Sequence, residues 1–95
     1  MVEGIKRTYL LGEKRKIEFR LIEKQNDSVD IITKAIYEII KDNNIIETGN
    51  AEVNKNIVSC LFAPTETGFY TVRFFITVPP ETIAAEMVAV VMKDK

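Results

Sequence analysis

Histidine and tryptophan are absent from the 95 residues, and cysteine occurs once, at Cys60. Without histidine the commonest general base and the commonest zinc ligand are missing, and neither a Ser-His-Asp nor a Cys-His arrangement can form. A single cysteine permits no intrachain disulfide and no thiolate cage for a metal, which fits a reducing compartment. The four glycines, Gly4, Gly12, Gly49 and Gly68, stand apart, so there is no glycine-rich loop to cradle a phosphate. No apolar run nears the roughly 18 to 20 residues of a membrane span, and the opening MVEGIKRTYLLGEKRK lacks the apolar core of a signal peptide. A dominant charge is lacking too. Thirteen basic residues against fourteen acidic give a net charge of -1, too weak a field for nucleic acid or an anionic membrane to be the main partner. The expectation is a non-enzymatic chain made in the cytoplasm, with no cofactor, no metal, no nucleic acid partner and no membrane span, and without a small-molecule ligand.

What is present is the balance of a folded globular protein: 46% hydrophobic and 28% charged residues, too apolar for a disordered chain. The length suits one domain over residues 1–95 with a single core and little room for a deep substrate cleft. The basic residues are unevenly spread. Lys6, Arg7, Lys14, Arg15, Lys16 and Arg20 fall in the first twenty positions, so one edge of the fold is expected to be locally positive, chiefly as a solvated strand whose cations discourage edge pairing.

Turn signals recur at Gly12, KQNDS (24–28), KDNN (41–44), TGN (48–50), NKN (54–56), PTETG (64–68) and PPE (79–81), a spacing suited to a β-sandwich or barrel. Between them, KIEFRL puts Ile17, Phe19 and Leu21 on one strand face and Glu18 and Arg20 on the other. In YTVRFFITV, Tyr70, Val72, Phe74, Ile76 and Val78 alternate with Thr71, Arg73, Phe75 and Thr77. NIVSCLF (56–62) also reads as a strand, with either face inward.

Two segments are ambiguous. SVDIITKAIYEIIKD (28–42) places Val29, Ile32, Ile36 and Ile40 at helical intervals behind a Ser28 or Asp30 cap, which leaves an α+β fold with a helix at about 28–42 as the alternative. Its β-branched content and the hairpin-like KDNNIIETG that follows favour strands. PETIAAEMVAVVMKDK combines helix formers with β-branched VAVV, and we expect a closing strand over Met87 to Met92.

Candidate sites are few. Glu18, Glu23, Glu38, Glu47, Glu52, Glu66, Glu81 and Glu86 are dispersed, so solvated surface explains them better than an acid-base pair, which needs two carboxyls converging in a cleft. Asp27 and Asp30 flank Ser28 with too few oxygen ligands for a calcium loop and read as a turn. If Tyr70 and Phe74 face the core, Phe69 and Phe75 lie on the opposite face with Arg73 between them. Exposed aromatics beside an arginine are enriched at protein interfaces, so Phe69, Arg73 and Phe75 form the candidate interface, unless a loop or the C-terminal segment covers them.

The order IEFRL (17–21), SVDI, AIYEIIKDNNIIETGNAEV and CLFAPTETGFYTVRFFITVPPE resembles the N-terminal immunoglobulin-like β-sandwich of phage baseplate and tail-appendage proteins and their prophage relatives. The likeness spans roughly residues 14 to 92 and rests on short motifs. It departs where TETGFY carries Glu66 and Thr67 in place of a frequent Asp, and where the chain stops soon after the last strand. It implies an all-β, antiparallel immunoglobulin-like sandwich of about seven strands. It also implies a virion-associated structural component of the tail or baseplate that assembles with itself or with another protein. In such sandwiches a Tyr at the start of a late strand turns its hydroxyl back onto the upstream backbone, the role expected of Tyr70 behind Gly68. Val72 then stands where a disulfide-linked relative carries its second cysteine, so packing must replace the bridge. The alternative function is a carbohydrate- or cell-surface-binding sandwich, for which the chain is poor in aromatic platforms.

Overall fold

β-Strands build the computed structural model, which describes residues 5–21 and 31–93. Eight strands are formed among them: β1 (Ile5–Leu10), β2 (Arg15–Arg20), β3 (Lys34–Lys41), β4 (Asn44–Asn50), β5 (Glu52–Asn54), β6 (Ile57–Phe62), β7 (Gly68–Val78) and β8 (Glu81–Met92). They make two sheets, one ordered β1-β8-β7-β3-β4 and the other β2-β6-β5. All neighbours run antiparallel except β1, which lies parallel to β8. This is an all-β immunoglobulin-like sandwich, one strand beyond the expected seven.

Local turn chemistry sets the hairpins. Asp42 and Asn43, both at positive φ, close a two-residue turn between β3 and β4, a conformation that Asp and Asn tolerate better than most side chains. Lys55, with φ 57, and Asn56 join β5 to β6. Pro79 and Pro80, linked by a cis peptide, join β7 to β8. Gly12, at φ 98, helps turn the chain from β1 in the larger sheet to β2 in the smaller, and the Glu13 carboxylate accepts the Leu10 N–H at 3.0 Å.

The core lies between the sheets. Ile17, Val58, Cys60 and Phe62 from the three-stranded sheet meet Ile39, Tyr70, Val72, Phe74, Ile76, Met87 and Val91 from the five-stranded one. Of the two readings left open for β6, Val58, Cys60 and Phe62 face inward. At one end of the core the Phe62 ring stands edge-on between Tyr9 and Tyr70, with centroids 5.4 and 5.2 Å away. Val72 is fully buried, so packed side chains occupy the place of a bridge.

The helical alternative for 28–42 does not hold: 34–41 is a strand, while residues 28–30 lie outside the described residues, as does all of KQNDS together with Glu23, Asp27 and Asp30. The helical spacing misled because Ile36 and Ile40 belong to the outward face of a sheet, whereas Ile32, Ala35 and Ile39 are buried. The closing strand begins at Glu81, six residues before the expected Met87, because the proline turn hands the chain directly to β8. TGN is not a turn: Gly49 sits within β4 opposite Tyr37, and a Cβ there would come within 3.2 Å of the Tyr37 ring. Glycine is used at that position for close approach.

Candidate interaction face

The outward surface of the five-stranded sheet is laid out by its register. Thr8, Val90 and Phe69 share one cross-strand row, and Lys6, Val88, Thr71, Ile40 and Ile45 form the next. Below them come Glu86, Arg73, Glu38 and Thr48, then Ala84, Phe75, Ile36 and Asn50. Leu10 and Met92 pair at the upper corner. The result is an apolar upper end, a charged middle and a second, smaller apolar row.

Phe69, Arg73 and Phe75 all lie on this face, but they are not one patch. Phe69 and Phe75 are six residues apart on β7, about 20 Å at the antiparallel rise of about 3.4 Å per residue. Phe69 is 65% exposed, whereas Phe75 is half-buried between Ile36 and Ala84 of the neighbouring strands. Between them the Arg73 Nε donates to Glu86 Oε2 at 2.7 Å and its Nη1 reaches Glu38 Oε1 at 3.4 Å. A cation held between two carboxylates on adjacent strands fixes the middle of the sheet and leaves Arg73 little freedom to seek a partner.

Phe69's neighbours were not singled out by motif. Leu10, Met92 and Ile45 are 42%, 52% and 55% exposed, with half-buried Val88, Val90 and Ile40 filling the rows between them. The signal was present as alternation in VAVVM and EIIKDNNII, but it reads as a face only when the partner strands are known. A bulge between Ile39 and Ile40 makes Ile46 the extra residue on β4 and turns Ile45 onto the outward row.

Tyr70 and Gly68 form the corner at the base of this end. The Tyr70 hydroxyl donates to the Glu66 carbonyl at 2.8 Å, closing the loop that enters β7. Gly68 has φ +132, a backbone region that side-chain-bearing residues rarely adopt. Lys41 lies over the Tyr70 ring at 5.7 Å and pairs with Asp42 and Glu66 at 3.2 and 3.5 Å. Its hydrogen bond to Asp42, and further Glu66, hold the ammonium above its ordinary pKa.

Two further titratable groups, Cys60 and Tyr37, pack in or against the core. Burial pushes the Cys60 thiol up to about 12. The Tyr37 hydroxyl, donated to Glu47 Oε2 at 2.6 Å, is likewise raised to about 12. Glu38 and Glu86 grip Arg73, Glu47 holds Tyr37, and Glu66 reaches Lys41. Glu38 and Glu86 thus converge on one guanidinium, on an open sheet face rather than in a cleft, while Glu47 and Glu66 make separate contacts.

Comparison with known proteins agrees with this topology. No family model matches the chain, and no curated protein is significantly similar to it in sequence. Solved structures do match. An engineered protein aligns with 94% of the chain at a TM-score of 0.71 and 12% identity, and a Bacteroides vulgatus protein provisionally classed as a glycoside hydrolase aligns with 94% at 0.52 and 11%. The chain spans only 18% and 17% of those two. A fibronectin type III-like module of CbhA from Clostridium thermocellum matches at 0.57 and 12%, covering 98% of this chain and 93% of that one. A mutant complex of titin with an obscurin-like 1 immunoglobulin domain supplies a match at 0.51 and 11%, covering 97% and 88%. The fold is that of immunoglobulin and fibronectin type III modules. At these identities the likeness concerns the fold alone, and none of these matches bears on the phage resemblance.

Proposed function

We propose that the chain is a non-enzymatic interaction module that docks through the apolar upper end of its five-stranded sheet, centred on Phe69, onto a second copy of itself. The observation that carries this reading is the exposure of Phe69, Leu10, Met92 and Ile45 on one sheet face. An aromatic anchor ringed by aliphatic side chains is the composition of an interface core, and the Glu86–Arg73–Glu38 row is the polar rim below it. One matched sandwich comes from a complex of titin with an obscurin-like 1 immunoglobulin domain, which supports a role in protein contacts.

Sedimentation equilibrium tests the proposal. The chain should exceed its 10.8 kDa monomer mass as concentration rises, and Phe69→Asp should hold it at the monomer. A wild-type chain that stays monomeric throughout ends the self-association part. The motif resemblance supplies a setting, a phage or prophage tail or baseplate, which would make the module virion-associated. Neighbouring tail genes would support that setting and a metabolic operon would remove it. A carbohydrate-binding role is the second reading, supported by a matched protein provisionally classed as a glycoside hydrolase. Against it, Phe69 is the one strongly exposed aromatic among the described residues, and a single ring makes a poor sugar platform.

A further inference from the structure

Four of the six cations in the first twenty positions, Lys6, Arg7, Arg15 and Lys16, line a groove at the rim of the molecule, which shares Lys6 and Thr8 with the sheet face. Strands β1 and β2 are terminal strands of different sheets, and among the described residues neither has a partner on its outer side. The groove, of about 520 Å³, opens between them. Its walls are two unbroken runs, Lys6 to Tyr9 and Arg15 to Glu18, with Met87 contributing from β8. Side chains on a strand face recur every second residue, so unbroken runs mean that the walls are strand edges, with backbone groups exposed along them.

The ladder shows which groups those are. Leu21 N–H donates to the carbonyl of Asn56, its directly opposite residue in the continued β2–β6 register, at 2.8 Å. In an antiparallel pair such hydrogen-bonded residues alternate with residues whose N–H and C=O point away. Counting back by twos, Phe19, Ile17 and Arg15 bond to β6, while the backbone groups of Lys16, Glu18 and Arg20 point to the open edge. The groove also carries a definite charge. Lys6, Arg7, Arg15 and Lys16 line it with Glu18; Arg15 is paired with Glu13 at 3.7 Å, so among the described residues the unpaired cations exceed Glu18 by two on a chain whose total is -1.

We propose that the β2 edge accepts an extended acidic segment of another polypeptide as an added strand, extending the three-stranded sheet to four. Backbone bonds to Lys16, Glu18 and Arg20 would supply the pairing, and carboxylates on the added strand would meet Lys6, Arg7 and Lys16. The cations also explain why the edge stays available. Two copies meeting edge to edge would bring like charges together, so the same residues oppose self-pairing and admit an acidic strand.

The test is amide NMR of the chain titrated with a capped octapeptide of alternating glutamate and valine. Two controls accompany it: lysine in place of glutamate, and proline in place of valine, which keeps the charge but removes every second backbone donor and fixes φ at those positions. The glutamate–valine peptide should shift the amides of Lys16, Glu18 and Arg20 and slow their hydrogen exchange. Both controls should bind at least about tenfold more weakly, and added salt should weaken the complex. Arg7→Glu combined with Lys16→Glu should reduce affinity at least about tenfold, with unchanged β7–β8 amides confirming the fold. Phe69→Asp should leave binding unaltered, which separates this surface from the sheet face. Equal binding of the proline peptide would show mere charge attraction, equal binding of the lysine peptide would remove charge selection, and no binding at all would refute the proposal.

Discussion

Replacing Tyr70 by Phe removes one atom from the corner that opens β7 and leaves its ring in place. The ring packs edge-on to Phe62 at 5.2 Å and is almost wholly buried, so its hydrophobic and aromatic contributions survive the change. What is lost is the hydroxyl's 2.8 Å bond to the Glu66 carbonyl. A neutral hydrogen bond of this kind is worth about 1 kcal/mol net, and Glu66 is exposed enough for water to reach the freed carbonyl, so the cost should not exceed about 1.5 kcal/mol. For a domain of this size that corresponds to a fall in Tm of roughly 4 to 8 °C per kcal/mol. Tyr70→Ala removes the ring as well and should cost about 3 to 5 kcal/mol, by analogy with other large aromatic truncations. Urea unfolding measures both, and the m-value of the Phe variant should match that of the wild type. A Phe variant within about 0.3 kcal/mol of wild type beside a crippled Ala variant would refute the reasoning, since the ring alone would then hold the corner.

Three further changes probe neighbouring parts of the account. Gly68→Ala has room for its methyl, 3.4 Å from Lys41 Cε, but must adopt φ +132, so urea unfolding should show a loss of about 1 to 3 kcal/mol from the backbone alone. Arg73→Ala breaks two partly exposed ion pairs and should cost no more than about 1 kcal/mol, less in high salt; a larger, salt-independent loss in the same assay would contradict the solvated placement. Cys60 and Tyr37 titrate near 12 in the native chain, against 9.0 and 10.0 ordinarily. The folded state therefore keeps these protons longer, and their stabilisation is complete below about pH 9 and declines as pH rises towards about 12. Urea midpoints should fall over that window. Cys60→Ala should delay the onset to about pH 10, where Tyr37 begins, and an unchanged profile would contradict the burial of the thiol.

Strands with one buried face were legible from the chain alone. Ile17 and Phe19 in β2, and Tyr70, Val72, Phe74 and Ile76 in β7, alternate cleanly because one side meets the core and the other carries charge or threonine. Strand β1 was not legible. In IKRTYL, Tyr9 is the side chain found buried, and the strand is held by parallel backbone pairing to β8, which no local pattern encodes. Strand β3 was ambiguous because both faces are apolar, a signature shared by buried helices and by central strands.

The candidate interface shows the same limit. Alternation placed Phe69, Arg73 and Phe75 on one side of β7, but only the register revealed that Glu38 and Glu86 occupy Arg73 and that Ile36 and Ala84 flank Phe75. The neighbours of Phe69 come from β1, β3, β4 and β8, and Leu10 among them stands 59 positions before it in sequence (69 minus 10). The basic groove was visible only as a composition bias, since its walls belong to different sheets joined by the Gly12 turn.

The central claim is that the upper end of the five-stranded sheet is an interface, and sedimentation equilibrium of the wild type beside Phe69→Asp tests it most directly. A side chain that is 65% exposed can be replaced without opening the core, so at dilutions where both chains are monomeric they should melt alike. The account predicts a wild-type mass that climbs from 10.8 kDa towards the dimer with concentration, and a variant that remains at 10.8 kDa. Two chains that behave identically, whether both monomeric or both dimeric, would contradict it.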